Sequence, residues 1–218
     1  MLPRLALALL VVSVAILHLA CSRAEQADRT PKFASTIAGA NGEFGETFAI
    51  AVKDSDVYIS DGQNGMIWKV RDGNATPFWE DLNTPSGLAV ASDGSLVVAD
   101  AGRNQILITH GGPDVWGNAY GYGGRGDNAR GFADGDKHEA LFNGPLGVAA
   151  AADGKIYVAD TYNDRIRVLD IEHDSVTTLA GGSRGYADGI GAAAKFDTPC
   201  GIAVWDDKVL VADTGNHR

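Results

Sequence analysis

One block of sequence occurs four times in this chain and limits the folds open to it. Each copy has a short apolar stretch, a turn rich in Asp, and a second apolar stretch that ends in Ala-Asp or Ser-Asp. Two apolar stretches joined by such a turn are typical of a β-hairpin. The closing residues of the four copies, at spacings of 39, 60 and 53, are Asp61, Asp100, Asp160 and Asp213. Repeats of this length predict a modular fold.

Each hairpin is followed by a polar turn and a third apolar stretch. The third stretches are residues 66–70, 105–109 and 165–169, and residues 176–180 add a fourth stretch to the third copy. No apolar pattern of helical period and useful length follows residue 20, so the unit is a four-stranded antiparallel meander. Units repeated in this way predict the blades of a β-propeller. A β-sandwich is the alternative, but its strands would not repeat in phase.

The block resembles the NHL repeat. That pattern reads Pro-x-Gly-[Ile/Val]-Ala, Asp-Gly, [Ile/Val]-Tyr-Val-Ala-Asp and Asn-x-Arg-Ile. The residues that carry its last part are Asp160, Asn163 and Arg165 in the third copy and Asp213, Asn216 and Arg218 in the fourth. Copy two departs from it at Arg103 and Asn104, and copy one has Met66 in place of Arg.

The resemblance implies an all-β propeller of NHL-type four-stranded blades, in a family whose members commonly have six. We expect it to be incomplete here, with about three complete blades and a partial fourth, because the chain ends where the pattern continues with a third strand. The predicted repeats are residues 47–79, 85–118, 145–181 and 199–218. The prediction is therefore a C-terminally truncated fragment that forms an open arc of blades without a sealed central channel.

A second, longer similarity joins copies three and four. The stretch Gly-Phe-Ala-Asp-Gly at 131–135 returns as Gly-Tyr-Ala-Asp-Gly at 185–189, and each leads to a Phe shortly before the next Pro. The position of these stretches predicts a connection between the outer strand of one blade and the inner strand of the next. We expect the phenylalanines, Phe142 and Phe196, to pack between blades.

The repeated aspartates admit a structural and a metal-binding interpretation. A carboxylate at a strand end can accept backbone N–H groups and pair with the Arg five residues later, as Asp160 does with Arg165 in the prediction. Because the four positions are distributed around a ring while chemistry needs one asymmetric cluster, the structural interpretation is favoured. No catalytic residue, metal ligand or cofactor is assigned.

The N-terminus has the plan of an export signal. Arg4 precedes an apolar run that is shorter than a membrane-spanning helix needs, and Cys21 follows Leu-Ala. Residues 1–20 are therefore predicted to be a signal peptide, with a signal helix, and residues 21–32 a polar tether before the propeller at 33–218. The cysteine resembles a bacterial lipobox cysteine, which implies a lipoprotein of the bacterial cell envelope. The alternative is an ordinary signal peptide with a chance cysteine.

The net charge limits the partners. Removal of residues 1–20 takes away one basic residue, so that 17 basic and 28 acidic residues remain and the formal charge becomes 17 − 28 = −11. Such a surface repels phosphate, which argues against nucleic acid. Anionic lipid is equally unfavourable, so that a lipid anchor is the one membrane attachment predicted.

Three functions stay open at this point. The first is a binding module for a protein, peptide or glycan, whose candidate loop in the insertion at 111–131 carries Trp116, Tyr120, Tyr122 and Arg125. The second is a calcium-dependent enzyme similar to gluconolactonases or amidating lyases. Its inner strands would need inward-facing ligands, yet they carry Ala, Val, Leu and Ile, and the histidines at 110, 138, 173 and 217 share no spacing. The third is an architectural domain of a larger envelope protein.

Overall fold

The computed structural model of the chain describes residues 36–39, 42–109, 119–123 and 129–218. The segment Ile37–Arg218 is one compact unit. The predicted signal peptide, Cys21 and the tether lie outside the described residues, as do Trp116 and Arg125. Within the described ranges, no helix is both long enough and apolar enough to span a membrane.

The described residues form three four-stranded antiparallel sheets and one two-stranded sheet, each with its strands in chain order. Blade one contains β1 (Thr47–Lys53), β2 (Asp56–Asp61), β3 (Met66–Arg71) and β4 (Asn74–Trp79). Blade two contains β5 (Pro85–Val90), β6 (Leu96–Asp100), β7 (Gln105–Ile108) and β8 (Tyr120–Tyr122). Blade three contains β9 (Pro145–Ala150), β10 (Lys155–Asp160), β11 (Arg165–Asp170) and β12 (Ser175–Gly181). Blade four contains β13 (Pro199–Trp205) and β14 (Lys208–Asp213). The prediction of three blades and a partial fourth is confirmed.

Short 3₁₀ helices follow the second strand in three blades. The four 3₁₀ helices of the described residues are Ala101–Arg103, Thr161–Asn163, Gly191–Ala193 and Thr214–Asn216. Those after β6, β10 and β14 end at a residue in the left-handed region, namely Asn104, Asp164 and His217, with φ of 55°, 51° and 57°. Asn and Asp tolerate this region better than most residues, so the turns after β6 and β10 start β7 and β11 at a fixed place.

The inner strands of neighbouring blades approach each other closely at the glycine of Pro-x-Gly. A Cβ on Gly87 would lie 2.7 Å from the carbonyl oxygen of Leu146, and one on Gly147 would lie 2.2 Å from that of Cys200. Both distances are shorter than any side chain tolerates. The glycine of the repeat therefore sets the spacing of the blades.

Phe142 packs between blades two and three, as predicted. Its side chain is fully buried in a cluster with Ile106 and Tyr122 of blade two and with Leu169 and Val176 of blade three. A second cluster joins blades one and two. Each blade thus buries one apolar face against its neighbour.

Candidate functional site: the repeat turns and the loop face

The four repeat aspartates, at 61, 100, 160 and 213, are buried and fasten each blade to the connection that enters it. One carboxylate oxygen accepts the N–H of the residue two places before the inner strand of the same blade. The donors are Gly45 for Asp61 (2.8 Å), Asn83 for Asp100 (2.8 Å), Asn143 for Asp160 (2.9 Å) and Asp197 for Asp213 (2.8 Å). Because the same hydrogen bond recurs in all four blades, each carboxylate stabilises the chain segment that enters its blade.

The asparagine three residues later completes this arrangement. The Asn163 side chain donates to Asp160 at 2.9 Å and to the Gly131 carbonyl at 2.7 Å. The Asn216 side chain donates in the same way to Asp213 and to the Gly185 carbonyl, both at 2.7 Å. The Asp-x-x-Asn unit therefore also holds the start of the Gly-[Phe/Tyr]-Ala-Asp-Gly stretch against its blade.

The predicted pair between Asp160 and Arg165 is wrong. Asp160 instead pairs with Arg167, whose Nη1 lies 2.9 Å from the carboxylate, and both side chains are fully buried. Arg165 is the first residue of β11, near the surface, where its guanidinium lies 3.4 Å from the centre of the Phe132 ring. In blade four the Arg five residues on does pair, since Arg218 Nε lies 3.1 Å from Asp213.

A signal in the sequence could have identified Arg167. The residue seven places after the repeat Asp supplies a donor in two copies, because Trp68 Nε1 donates to Asp61 at 3.0 Å, as Arg167 does to Asp160. Copy two has Leu107 at this position. There Arg103, only three residues after Asp100, approaches the carboxylate at 3.1 Å instead.

Burial and hydrogen bonding act in opposite directions on these carboxylates. Burial raises the pKa of Asp160 above its usual range, although the Asn143 N–H, Asn163 and Arg167 favour the charged form. Burial also acts on Asp61, but the donors around it outweigh that effect and its pKa is lowered. The charge on Asp160 therefore depends on its full set of donors.

Arg167 also binds the stretch at 131–135. It donates to the carbonyls of Ala133 (2.7 Å) and Leu141 (3.0 Å), and it pairs with the Asp134 carboxylate at 2.7 Å. The rings of Phe132 and Phe142 each lie 5.0 Å from its guanidinium. One buried cation thus joins the β10–β11 turn to the connection that carries the exposed ring of Phe132.

The prediction that Tyr120 and Tyr122 belong to a loop is wrong. They form β8, the outer strand of blade two, and Tyr122 is buried in the core beside Phe142. Burial raises the pKa of Tyr122. Tyr120 and Tyr122 lie on the same side of β8, on either side of Gly121 in the sequence, and β8 pairs with β7 to complete the sheet of blade two.

The connections between blades and the turns between the second and third strands of each blade lie on one side of the propeller, which we call the loop face. The exposed aromatic side chains that the structure describes on this face include Phe132 (46%), Tyr162 (61%) and Tyr186 (65%). The guanidinium of Arg218 lies 3.8 Å from the centre of the Tyr186 ring. The guanidinium of Arg165 likewise lies 3.4 Å from the centre of the Phe132 ring. The same Arg–aromatic stack therefore recurs in blades three and four.

The opposite side of the propeller carries the turns between the first and second strands of each blade and those between the third and fourth strands, and we call it the hairpin face. Between blades two and three it has a cleft of about 250 Å³ lined in part by Asp93, Asp153, Asp170 and Glu172. Among the residues that the structure describes, no three His, Cys, Asp or Glu side chains are grouped so that they could hold a metal ion. His110 lies outside those residues.

The inner strands enclose a second cleft of about 320 Å³ near the axis. The second residue of each inner strand lines it, namely Phe48, Ser86, Leu146 and Cys200. Cys200 is a free, half-buried thiol whose Sγ lies 3.3 Å from the Thr198 carbonyl oxygen. This cleft is largely apolar.

The NHL repeat family model matches residues 82–108, 142–169 and 196–218. A relative from Arabidopsis thaliana, Protein SUPPRESSOR OF QUENCHING 1, chloroplastic, is 34% identical over 191 residues, which are 73% of this chain and 17% of that protein. NHL repeat-containing protein 2 of Bos taurus is 39% identical over 160 residues, or 66% of this chain and 21% of that protein. The chain thus spans about a fifth of the length of these relatives.

Solved structures of low sequence identity share the fold. An auxiliary nutrient binding protein from Bacteroides thetaiotaomicron has a TM-score of 0.62 at 20% identity, over 75% of this chain and 44% of that one. A chain of a nidogen/laminin complex has a TM-score of 0.57 at 16% identity, over 79% and 57%. A gluconolactonase from Xanthomonas campestris has a TM-score of 0.57 at 18% identity, over 77% and 54%.

Sequence, blade geometry and these similarities agree. The four-stranded sheets follow the repeat, and the Asp and Asn residues of the motif hold the turns between strands two and three. The chain therefore belongs to the NHL-repeat β-propeller proteins.

Proposed function

We propose that this chain is a cell-envelope binding module whose loop face holds a protein, peptide or glycan. The observation that carries the proposal is the recurring Arg–aromatic stack, formed by Arg165 with Phe132 and by Arg218 with Tyr186. Tyr162 adds a third exposed ring on the same face. Exposed rings on a rigid scaffold are characteristic of binding surfaces.

The scaffold beneath these rings supports the proposal. Asn163 and Arg167 hold the stretch that carries Phe132, and Asn216 holds the one that carries Tyr186. A side chain held in place in this way loses little conformational entropy when a ligand binds. Aromatic rings offer flat apolar contact, and guanidinium groups offer directed donors, which suits both peptide carboxylates and sugar hydroxyls.

The similar structures are a nutrient binding protein, a chain of a nidogen/laminin complex and a gluconolactonase, and at their level of identity they share only the fold with this chain. The ligand class therefore rests on the loop-face residues themselves. Binding to glycan and peptide arrays prepared from bacterial envelopes tests the proposal. Capture of a ligand supports it, whereas turnover of a lactone panel that requires calcium, without any ligand captured, contradicts it.

Replacing Tyr162 or Tyr186 with Ala is expected to weaken the affinity for the captured ligand about tenfold per ring, which corresponds to ~1.4 kcal/mol of binding free energy. Titration by biolayer interferometry measures the affinity. Trp205→Ala is the matched control, because this ring is equally exposed (61%) but lies in blade four next to the hairpin face. Equal loss of affinity in all three variants would contradict a site on the loop face.

We also propose that Cys21 carries a lipid anchor, since a lipobox-like Leu-Ala-Cys ends the apolar run. Replacing Cys21 with Ala is expected to move the protein from the membrane fraction to the soluble fraction and to abolish palmitate labelling. Fractionation of cells that express each form measures this. A wild-type chain that is already soluble would show that Cys21 only adjoins the cleavage site.

A further inference from the structure

Arg165 lies at a position where the scaffold does not require a cation. In blades one, two and three, the residue five places after the repeat Asp starts the third strand and pairs with that Asp in the sheet register. Met66 fills this position in blade one and Gln105 in blade two, and both blades form the same four-stranded sheet. The positive charge of Arg165 is therefore open to a role other than holding blade three together.

The carboxylates that an arginine at this position could bind already have another partner. Arg167 pairs with Asp160 at 2.9 Å and with Asp134 at 2.7 Å. In the part of the chain that the structure describes, Arg165 forms no ion pair and donates to backbone carbonyls instead. Blade three thus carries an arginine on its loop face that no acidic side chain of the described residues binds.

Uncharged groups hold the guanidinium of Arg165 in one orientation. Its Nε donates to the Asn163 carbonyl at 3.1 Å, and its Nη2 donates to the Gly182 carbonyl at 3.3 Å. The centre of the Phe132 ring lies 3.4 Å from the guanidinium carbon and covers one of its two flat sides. Among the described residues, Nη1 has no acceptor. The edge that carries Nη1 is therefore a fixed donor, and little conformational entropy is lost when a ligand accepts from it.

The surroundings of Arg165 favour an anionic acceptor. Burial lowers the pKa of Arg165, and the charge of Arg167 acts in the same direction. Asp160, Asp134 and Asp164 act in the opposite direction, but the first two already bind Arg167. A ligand carboxylate in direct contact with Nη1 would offset the cost of burying this charge.

We propose that Arg165, stacked on Phe132, binds a carboxylate in an acidic peptide segment of a partner protein. The inference rests on the proposed binding at the loop face and names the group that is recognised there. Carboxylates bind arginine in the plane of the guanidinium, and the stack leaves that edge accessible. The side of the Phe132 ring that the guanidinium covers is closed to the stacking on which sugar recognition depends, which favours a peptide over an acidic glycan.

Biolayer interferometry with immobilised peptides tests the proposal. One set of varied short peptides carries Glu or Asp at its centre, and a matched set carries Gln or Asn there. The wild-type chain should bind its best acidic peptide about tenfold more tightly than the amide match, a preference that weakens as salt is raised. Arg165→Met should abolish the preference. Arg165→Lys should restore only part of it, because Lys has the charge without the planar fork.

Arg184→Met is the matched control, because Arg184 is 68% exposed and already pairs with Asp197 at 2.8 Å. This variant should keep the full preference for acidic peptides. Circular dichroism verifies the fold of each variant, and Arg165→Lys carries the test if Arg165→Met fails to fold. An equal loss of preference in Arg184→Met and Arg165→Met would show that overall charge, not this site, selects the ligand, and would overturn the proposal.

Tetragalacturonate and its methyl ester provide the glycan arm of the experiment. Tighter binding of the acidic sugar than of every acidic peptide overturns the peptide assignment. Equal binding of acidic and amide peptides, or an acidic preference that Arg165→Met retains, overturns the inference. In either case the loop-face proposal stands if Tyr162→Ala still weakens binding. A wild-type chain that binds neither peptide set overturns the inference as well, and capture of another ligand by the loop face would then leave the proposed function intact.

Discussion

Arg167→Met is expected to lower the free energy of unfolding by about 3 kcal/mol or more, because loss of one partner leaves a buried charge unpaired. Asp160 is fully buried and would lose the guanidinium 2.9 Å away. The connection at 131–142 would lose the donor to the Ala133 and Leu141 carbonyls. Urea unfolding followed by fluorescence measures the change.

Arg165→Met is the matched control for this prediction. Arg165 lies two residues earlier on the same strand, but its guanidinium contacts the half-exposed ring of Phe132 and does not pair with Asp160. Its replacement should cost about 1 kcal/mol or less, as is usual for an exposed cation–π contact. A larger loss of unfolding free energy for Arg165→Met than for Arg167→Met would contradict this account and support the pairing of Asp160 with Arg165 that the repeat pattern alone predicts.

Phe142→Ala is expected to destabilise the protein by about 3 to 5 kcal/mol, the usual cost of removing a buried phenylalanine. The ring is fully buried between blades two and three and touches both. A cavity there removes contacts that no single blade can replace. Phe132→Ala is the control and should have a small effect, because that ring is 46% exposed. A loss below about 1 kcal/mol for Phe142 would show that the junction does not depend on it.

The sequence predicts the blades because the repeat fixes strand order, turn positions and the phase of apolar residues at once. It also locates the buried Phe142, since a large apolar residue in a polar connection between blades has few other places to go. These inferences depend on local pattern and on the packing that every blade shares.

The same reasoning fails where blades differ. Arg165 matches the motif, but its place at the start of β11 keeps it near the surface, while Arg167 reaches the buried carboxylate. Tyr120 and Tyr122 resemble loop aromatics because the strand they form has only three residues. Which side chain enters a junction depends on contacts between distant segments, which a single repeat does not encode.

Hydrogen–deuterium exchange with and without the captured ligand tests most directly the claim that the loop face binds while the repeat turns hold the scaffold. We expect slower exchange in residues 131–135, 161–164 and 185–187, and unchanged exchange in the hairpin-face turns at 91–95 and 151–155. Protection confined to those hairpin-face turns, or to the axial cleft at 146–148 and 200–202, would contradict the account.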